Sequence, residues 1–179
     1  MSVQSYIDDN RDRFLDELFE YLSIPSISTD STMSDEVERC AEWLRDHFEQ
    51  IGMPTVEVHE TEGHPIVYAE YTPYDDEEVP TILLYAHYDV QPPDPLEEWD
   101  SPPFEPTIRD EKIFARGATD DKGQFFCHVK GLEAHLAENG ELPCNVKVLV
   151  EGEEEVGSIH LGPWVGDHAD KLACDSVVI

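Results

Sequence analysis

Apolar residues recur at helical spacing over the first fifty positions and then change to strand-like runs. From Ser5 to Leu22, Ile7, Phe14, Leu15, Leu18, Phe19 and Leu22 predict one amphipathic helix, with Pro25 helping to stop it. A second helix is predicted from an N-cap at Ser34 to about Ile51, with Val37, Cys40, Ala41, Leu44 and Phe48 on its buried face and Gly52 beyond its end. Val56 and Val58 alternate with acids, which predicts a half-exposed strand partnered by Ile66 to Tyr71. Thr81 to Ala86 is a short apolar run of the kind buried in a central sheet, and Val146 to Val150 is another. Between them lie a proline- and acid-rich loop from Gln91 to Pro106, a short strand from Ile113 to Ala115, and a turn at Gly117. A helix from Lys122 to Asn139 follows, with the apolar stripe Phe125, Phe126, Val129, Leu132 and Leu136 and a stop at Gly140. A turn at Gly157, a short helix starting near Ser158 and a strand from Ser176 to Ile179 complete the reading. The fold class is α/β, a mixed central sheet flanked by helices, and polar residues collect where buried strands end. Those ends are where open α/β sheets bind ligands.

At 179 residues and 40% hydrophobic content, the chain suffices for one domain with a sizeable core. Its 41 acidic residues against 11 basic ones give a net charge of −30. Such a surface repels nucleic acid and anionic membranes, whose phosphates require clustered cations. The acids are dispersed, as in Glu36, Glu38, Glu42, Asp46 and Glu49, and most read as a solvated surface. The dispersal resembles cytoplasmic proteins of salt-accumulating halophiles, in which the Debye length shrinks to ~3 Å at ~1 M salt. A calcium-buffering protein is the rival reading, but no EF-hand spacing is present. Cys40, Cys127, Cys144 and Cys174 form no C-x-x-C pair and are expected as buried reduced thiols. Met1 to Asn10 lacks the basic-then-apolar pattern of a signal peptide, and no apolar run approaches the ~20 residues of a membrane span, so a soluble cytoplasmic protein is expected.

Three strand-end clusters carry candidate chemistry. His87-Tyr88-Asp89 follows a buried strand; His87 can present a ring nitrogen to a metal, and Asp89 can orient that ring. The plain alternative is a hydrogen-bonded surface histidine. Asp120 and Asp121 sit between a strand and a helix, where they either cap the helix or bridge two cations. Glu151-Gly152-Glu153-Glu154-Glu155 crowds four carboxylates at a strand mouth, where like charges repel unless a cation binds. One of these acids is free to act as a general base. Together the clusters supply the His and carboxylate set that binds zinc or manganese.

LLYAHYDVQP at Leu83 to Pro92, WDSPPFEP at Trp99 to Pro106, ARGATDDKG at Ala115 to Gly123 and EGEEEVGS at Glu151 to Ser158 carry a resemblance. In their order and spacing they are similar to co-catalytic metallopeptidases, the group of carnosinase-type dipeptidases, aminoacylase, acetylornithine deacetylase and succinyl-diaminopimelate desuccinylase. HYDVQP, followed by a Trp and PFEP, looks most like the dipeptidase branch. By position, the resemblance implies that His87 is a terminal ligand of one metal and that Asp89 holds it. Asp120 is implied as the bridging carboxylate, followed by a cis peptide, and Glu155 as the terminal ligand of the second metal. Glu154 resembles the general base. Trp99 and Phe104 either shape the pocket or anchor the proline-rich loop, and His128 and His135 read as structural. Two divalent ions are implied, zinc first, with manganese or cobalt as alternatives.

The implied activity is amide hydrolysis by a metal-bridging water and the Glu154 base, on a small peptide or an N-acyl amino acid. Complete members are often homodimers. A further carboxylate and a last histidine, which relatives use as ligands, are not found before Ile179, and neither is the lid domain. Residues 1–179 are therefore expected to be the N-terminal, incomplete part of a zinc-peptidase-like catalytic domain. A dipeptidase is the leading expectation; an N-acyl-amino-acid deacylase or an inactive remnant is the alternative.

Overall fold

The computed structural model describes residues 2–179, and Met1 lies outside the described residues. Five strands form the main sheet, in the order β1-β2-β6-β3-β7: β1 Thr55–His59, β2 Ile66–Tyr71, β6 Asn145–Glu151, β3 Thr81–His87 and β7 Ser176–Val178. β3 runs parallel to β6 and β7, whereas β2 is antiparallel to both β1 and β6. The parallel register sets His87 opposite Glu151, so two of the predicted clusters leave the sheet at the same end. Alternation along the strands separates two apolar layers. Val67, Ala69, Leu84, Ala86, Val146, Val148 and Val150 pack with helices α2 (Arg11–Leu22), α3 (Ser34–Gln50) and α4 (Lys122–Asn139). Ile66, Tyr68, Leu83 and Leu149 pack on the opposite face with Trp164 and Leu172, from α5 (Leu161–Asp167) and α6 (Ala169–Leu172).

The structure amends several expectations. The first helix is two, α1 (Val3–Asp9) and α2, broken at Asn10, whose amide donates to the Tyr6 carbonyl at 2.8 Å. This is the local competition by which an Asn side chain interrupts a helix. α3 is entered through a 3₁₀ turn, Ser31–Met33, capped by Asp30, so Ser34 is the first residue of α3 and not its cap. The short strand after the proline-rich loop is β5 (Lys112–Phe114), and it pairs with an unanticipated partner, β4 (Thr107–Arg109). Asp110 and Glu111 between them both have positive φ, the pattern of a two-residue hairpin turn. All four cysteines are free, but only Cys40 is buried; Cys127 and Cys174 are exposed. Cys127 follows Phe126 on α4, and one helical step of ~100° carries it off the buried stripe.

Two lysines are interior. Lys122 is fully buried and donates to the carbonyls of Tyr21 (3.1 Å) and Ile24 (2.7 Å), satisfying acceptors at the end of α2. Lys130 ties α4 to α2 and α3: it donates to Glu17, to Glu133 at 2.7 Å and to His47 Nε2 at 2.7 Å. Burial first, and the Lys130 charge second, hold the His47 pKa down to about 4. An unfolded His titrates near 6.5, so between about pH 4 and 6.5 the unfolded chain binds the extra proton. Stability from neutral His47 is thus complete above pH 6.5 and is lost as the pH falls to about 4, a change of about 3 kcal/mol. Urea midpoints measured from pH 7 to 4.5 should fall, and His47→Gln, which keeps an acceptor for Lys130, should flatten that slope.

Acid-rich helix faces lie in solvent, and self-repulsion at −30 opposes compaction. The thermal midpoint should therefore rise between about 0.05 M and about 2 M potassium chloride, and equal midpoints would argue against salt-dependent folding. Among the described residues, no helix is long and apolar enough to cross a membrane.

Candidate metal centre

Each of the three clusters follows a sheet strand or precedes a helix, and the fold brings them together. His87 ends β3, Asp120 lies just before α4, and Glu155 lies in a 3₁₀ turn after β6. Ligand atoms of these three residues lie within 4.8 Å of one another. His87 Nε2 is 3.1 Å from Asp120 Oδ1, while Nδ1 faces the Asp89 main-chain carbonyl at 3.1 Å and its carboxylate at 3.4 Å. The ring is thus held from behind, with Nε2 turned to the cluster. Asp121 occupies the N-cap position of α4 but makes no side-chain cap bond to it. Its carboxylate accepts from the His87 amide at 3.3 Å, and the Asp120–Asp121 peptide is cis.

Asp89 does more than face one histidine. Fully buried, it accepts from Ser28 Oγ at 2.6 Å and from the backbone amides of Glu154 and Glu155 at 3.2 and 3.1 Å. One carboxylate therefore sets both the His87 ring and the turn that presents Glu154 and Glu155. Glu154 is exposed and Glu155 half-buried, while Glu151 and Glu153 point inward. Glu153 pairs with His160 at 2.8 Å, away from the ligand cluster. Gln91, which sequence reasoning did not single out, donates to Glu155. Trp99 donates to the Pro93 carbonyl at 2.7 Å and stacks against Arg116, as a loop anchor does.

Charge in the cluster is out of balance. Burial alone would lower the His87 pKa, but the hydrogen bond and charge of Asp89, with the charges of Asp121 and Glu154, raise it to about 9. Burial pushes the Glu155 carboxyl up; the Gln91 hydrogen bond opposes this and the Asp120 charge adds to it. Carboxylates so placed favour a bound cation. The donor set, one imidazole nitrogen with carboxylates, suits zinc or manganese. Glu17, His47 and Glu133 form a second group of similar compactness, but its centre is taken by the Lys130 ammonium, with Arg13 2.5 Å from Glu133.

Residues 83–178 match the sequence profile of Peptidase family M20/M25/M40. The chain belongs to this peptidase family. A Cys-Gly metallodipeptidase of Schizosaccharomyces pombe is 33% identical over 175 residues, covering 92% of this chain and 36% of the relative. The crystal structure of human carnosine dipeptidase 1 superposes with a TM-score of 0.90 at 30% identity, over 99% of this chain and 40% of that one. An M20 family metallo-carboxypeptidase from Sulfolobus solfataricus gives a TM-score of 0.83 at 40% identity, over 92% of this chain and 36% of its own. The chain thus spans about two fifths of the length of these family members.

Proposed function

We propose that these residues belong to the catalytic domain of a metal-dependent dipeptidase. The observation that carries this reading is the convergence of His87, Asp120 and Glu155 at one end of the sheet, their ligand atoms within 4.8 Å and no lysine or arginine paired with them among the described residues. His87 and Asp120 would hold one divalent ion, and Asp120 and Glu155 a second, with Asp120 shared. Zinc is the first choice, and manganese or cobalt also suits the donors. Such ions, when bound, polarise a scissile carbonyl and make water acidic enough to attack near neutral pH.

The chain's own groups do the rest. Asp89 keeps the His87 ring and the Glu154–Glu155 turn in register. Glu154, exposed and unpaired through its side chain in the described contacts, accepts the proton of the attacking water and delivers it to the leaving amine. Dipeptides are preferred over N-acyl amino acids because the HYDVQP and PFEP stretches and the dipeptidase relatives point the same way.

The test is titration with zinc and manganese beside assays of dipeptides and N-acetyl amino acids. Metal binding should be lost in Glu155→Ala and His87→Ala, and dipeptides should be the better substrates. Metal binding that survives replacement of His87, Asp120 and Glu155 together would overturn the assignment.

A further inference from the structure

Glu151 is the last residue of β6 and is 1% exposed, yet it is a carboxylate at the end of an apolar strand. Burying a charge there is costly unless donors meet it. Two do, at the same oxygen. Tyr85 Oη donates to Glu151 Oε1 at 2.5 Å, and Ser158 Oγ donates to it at 2.8 Å. The other oxygen, Oε2, is buried without a hydrogen-bond partner in the described residues. Glu151 opens the loop that carries Glu154 and Glu155, and Ser158 closes it. Ser158 has φ +52°, a left-handed backbone uncommon for a residue with a side chain, and its amide donates to the Glu153 carbonyl at 2.7 Å. Tyr85 lies on β3, two residues before His87, so the contact also joins the strand of His87 to the loop of Glu155. The floor of the loop is equally fixed: a Cβ on Gly152 would lie 2.4 Å from the Tyr88 hydroxyl.

We propose that Glu151, Tyr85 and Ser158 clamp the neck of this loop and are positioning residues for Glu154 and Glu155, an inference that rests on the metallopeptidase reading above. Asp89 holds the middle of the loop from within the cluster, whereas the neck clamp acts from outside it. Its three side chains are not among those proposed to meet a metal ion. Their loss should therefore shift the two glutamates relative to His87 without deleting a ligand or a base.

Ser158→Gly suits the backbone at φ +52° and removes only the hydroxyl; Tyr85→Phe removes the other donor; Glu151→Gln keeps an acceptor oxygen. Amide hydrogen exchange at Glu154 and Glu155 is compared with exchange at Val148 in the β6 core, and zinc affinity, kcat and KM are measured for a dipeptide. Ser158→Gly and Tyr85→Phe should each speed exchange at Glu154 and Glu155 by about tenfold with Val148 unchanged, the size expected for a hydrogen bond to a charged group. Zinc affinity and kcat should fall with KM little altered, and Glu151→Gln, which keeps the acceptor oxygen but loses the charge, should show a smaller change in the same direction. Unchanged exchange at Glu154 and Glu155 in Ser158→Gly overturns the clamp, and this variant decides alone if Tyr85→Phe does not fold. Faster exchange in a protein that binds no zinc in any form supports the clamp and removes the metallopeptidase reading instead.

Discussion

In an enzyme with its full ligand set, Glu154→Ala is expected to lower dipeptide turnover by about 10³-fold while leaving bound metal at the wild-type level. The reason is positional. Glu154 is exposed at the turn after β6 and is attached to the framework through its backbone amide, which donates to Asp89 at 3.2 Å. Its side chain is absent from the compact ligand group of His87, Asp120 and Glu155. Removing it takes away a proton acceptor and leaves the donors for metal in place. Glu155→Ala should behave oppositely, with metal lost first and turnover falling as a consequence, partly restored by excess zinc. Elemental analysis of the two purified variants separates these cases, and metal lost from Glu154→Ala but kept in Glu155→Ala would mean that the two roles are exchanged.

Asp89→Ala is expected to damage both stability and the site. The substitution removes the acceptor for Ser28 Oγ and for the amides of Glu154 and Glu155, all directed at a fully buried carboxylate. Stranding buried donors costs about 1–3 kcal/mol each, so a loss of about 3 kcal/mol or more is expected in urea unfolding. Zinc affinity should fall by about 10- to 100-fold, because the group orienting the ligands is gone. Asp89→Asn keeps one acceptor oxygen and should lie between the two. A variant that unfolds at the wild-type urea midpoint would show that the turn is held by something else.

The apolar runs of β3 and β6 were legible because both strands are covered on two faces and so lack the alternation of a half-exposed strand. The polar clusters that follow them, His87 to Asp89 and Glu151 to Glu155, therefore stood out, while the choice of His87, Asp120 and Glu155 as ligands came from the family resemblance. Less was legible where several equivalent residues compete. In Glu151-Gly152-Glu153-Glu154-Glu155 the pattern does not say which acids turn inward; that depends on Tyr85, Ser158 and His160, contributed from β3, the end of the loop and the start of α5. The Lys130 network joins groups from α2, α3 and α4, so no local spacing announces it. The β4–β5 hairpin has three-residue strands and a turn without glycine or asparagine, too short for periodicity and without the usual turn chemistry. Asn10 breaks α1 from α2 without interrupting the apolar spacing, so the pattern read through it.

The interior placement of Lys122 and Lys130 also decides what an amine-directed reagent would find. The chain has five lysines, at positions 112, 122, 130, 147 and 171. Two are buried, Lys147 donates to the Ala173 carbonyl at 2.7 Å, and Lys171 is paired with Glu57. Lys112, exposed on β5 beside the hairpin turn, has no side-chain hydrogen bond or ion pair among the described contacts. Conjugation with a fluorescent ester at limiting stoichiometry should consequently label the side chain of Lys112 ahead of the other lysines.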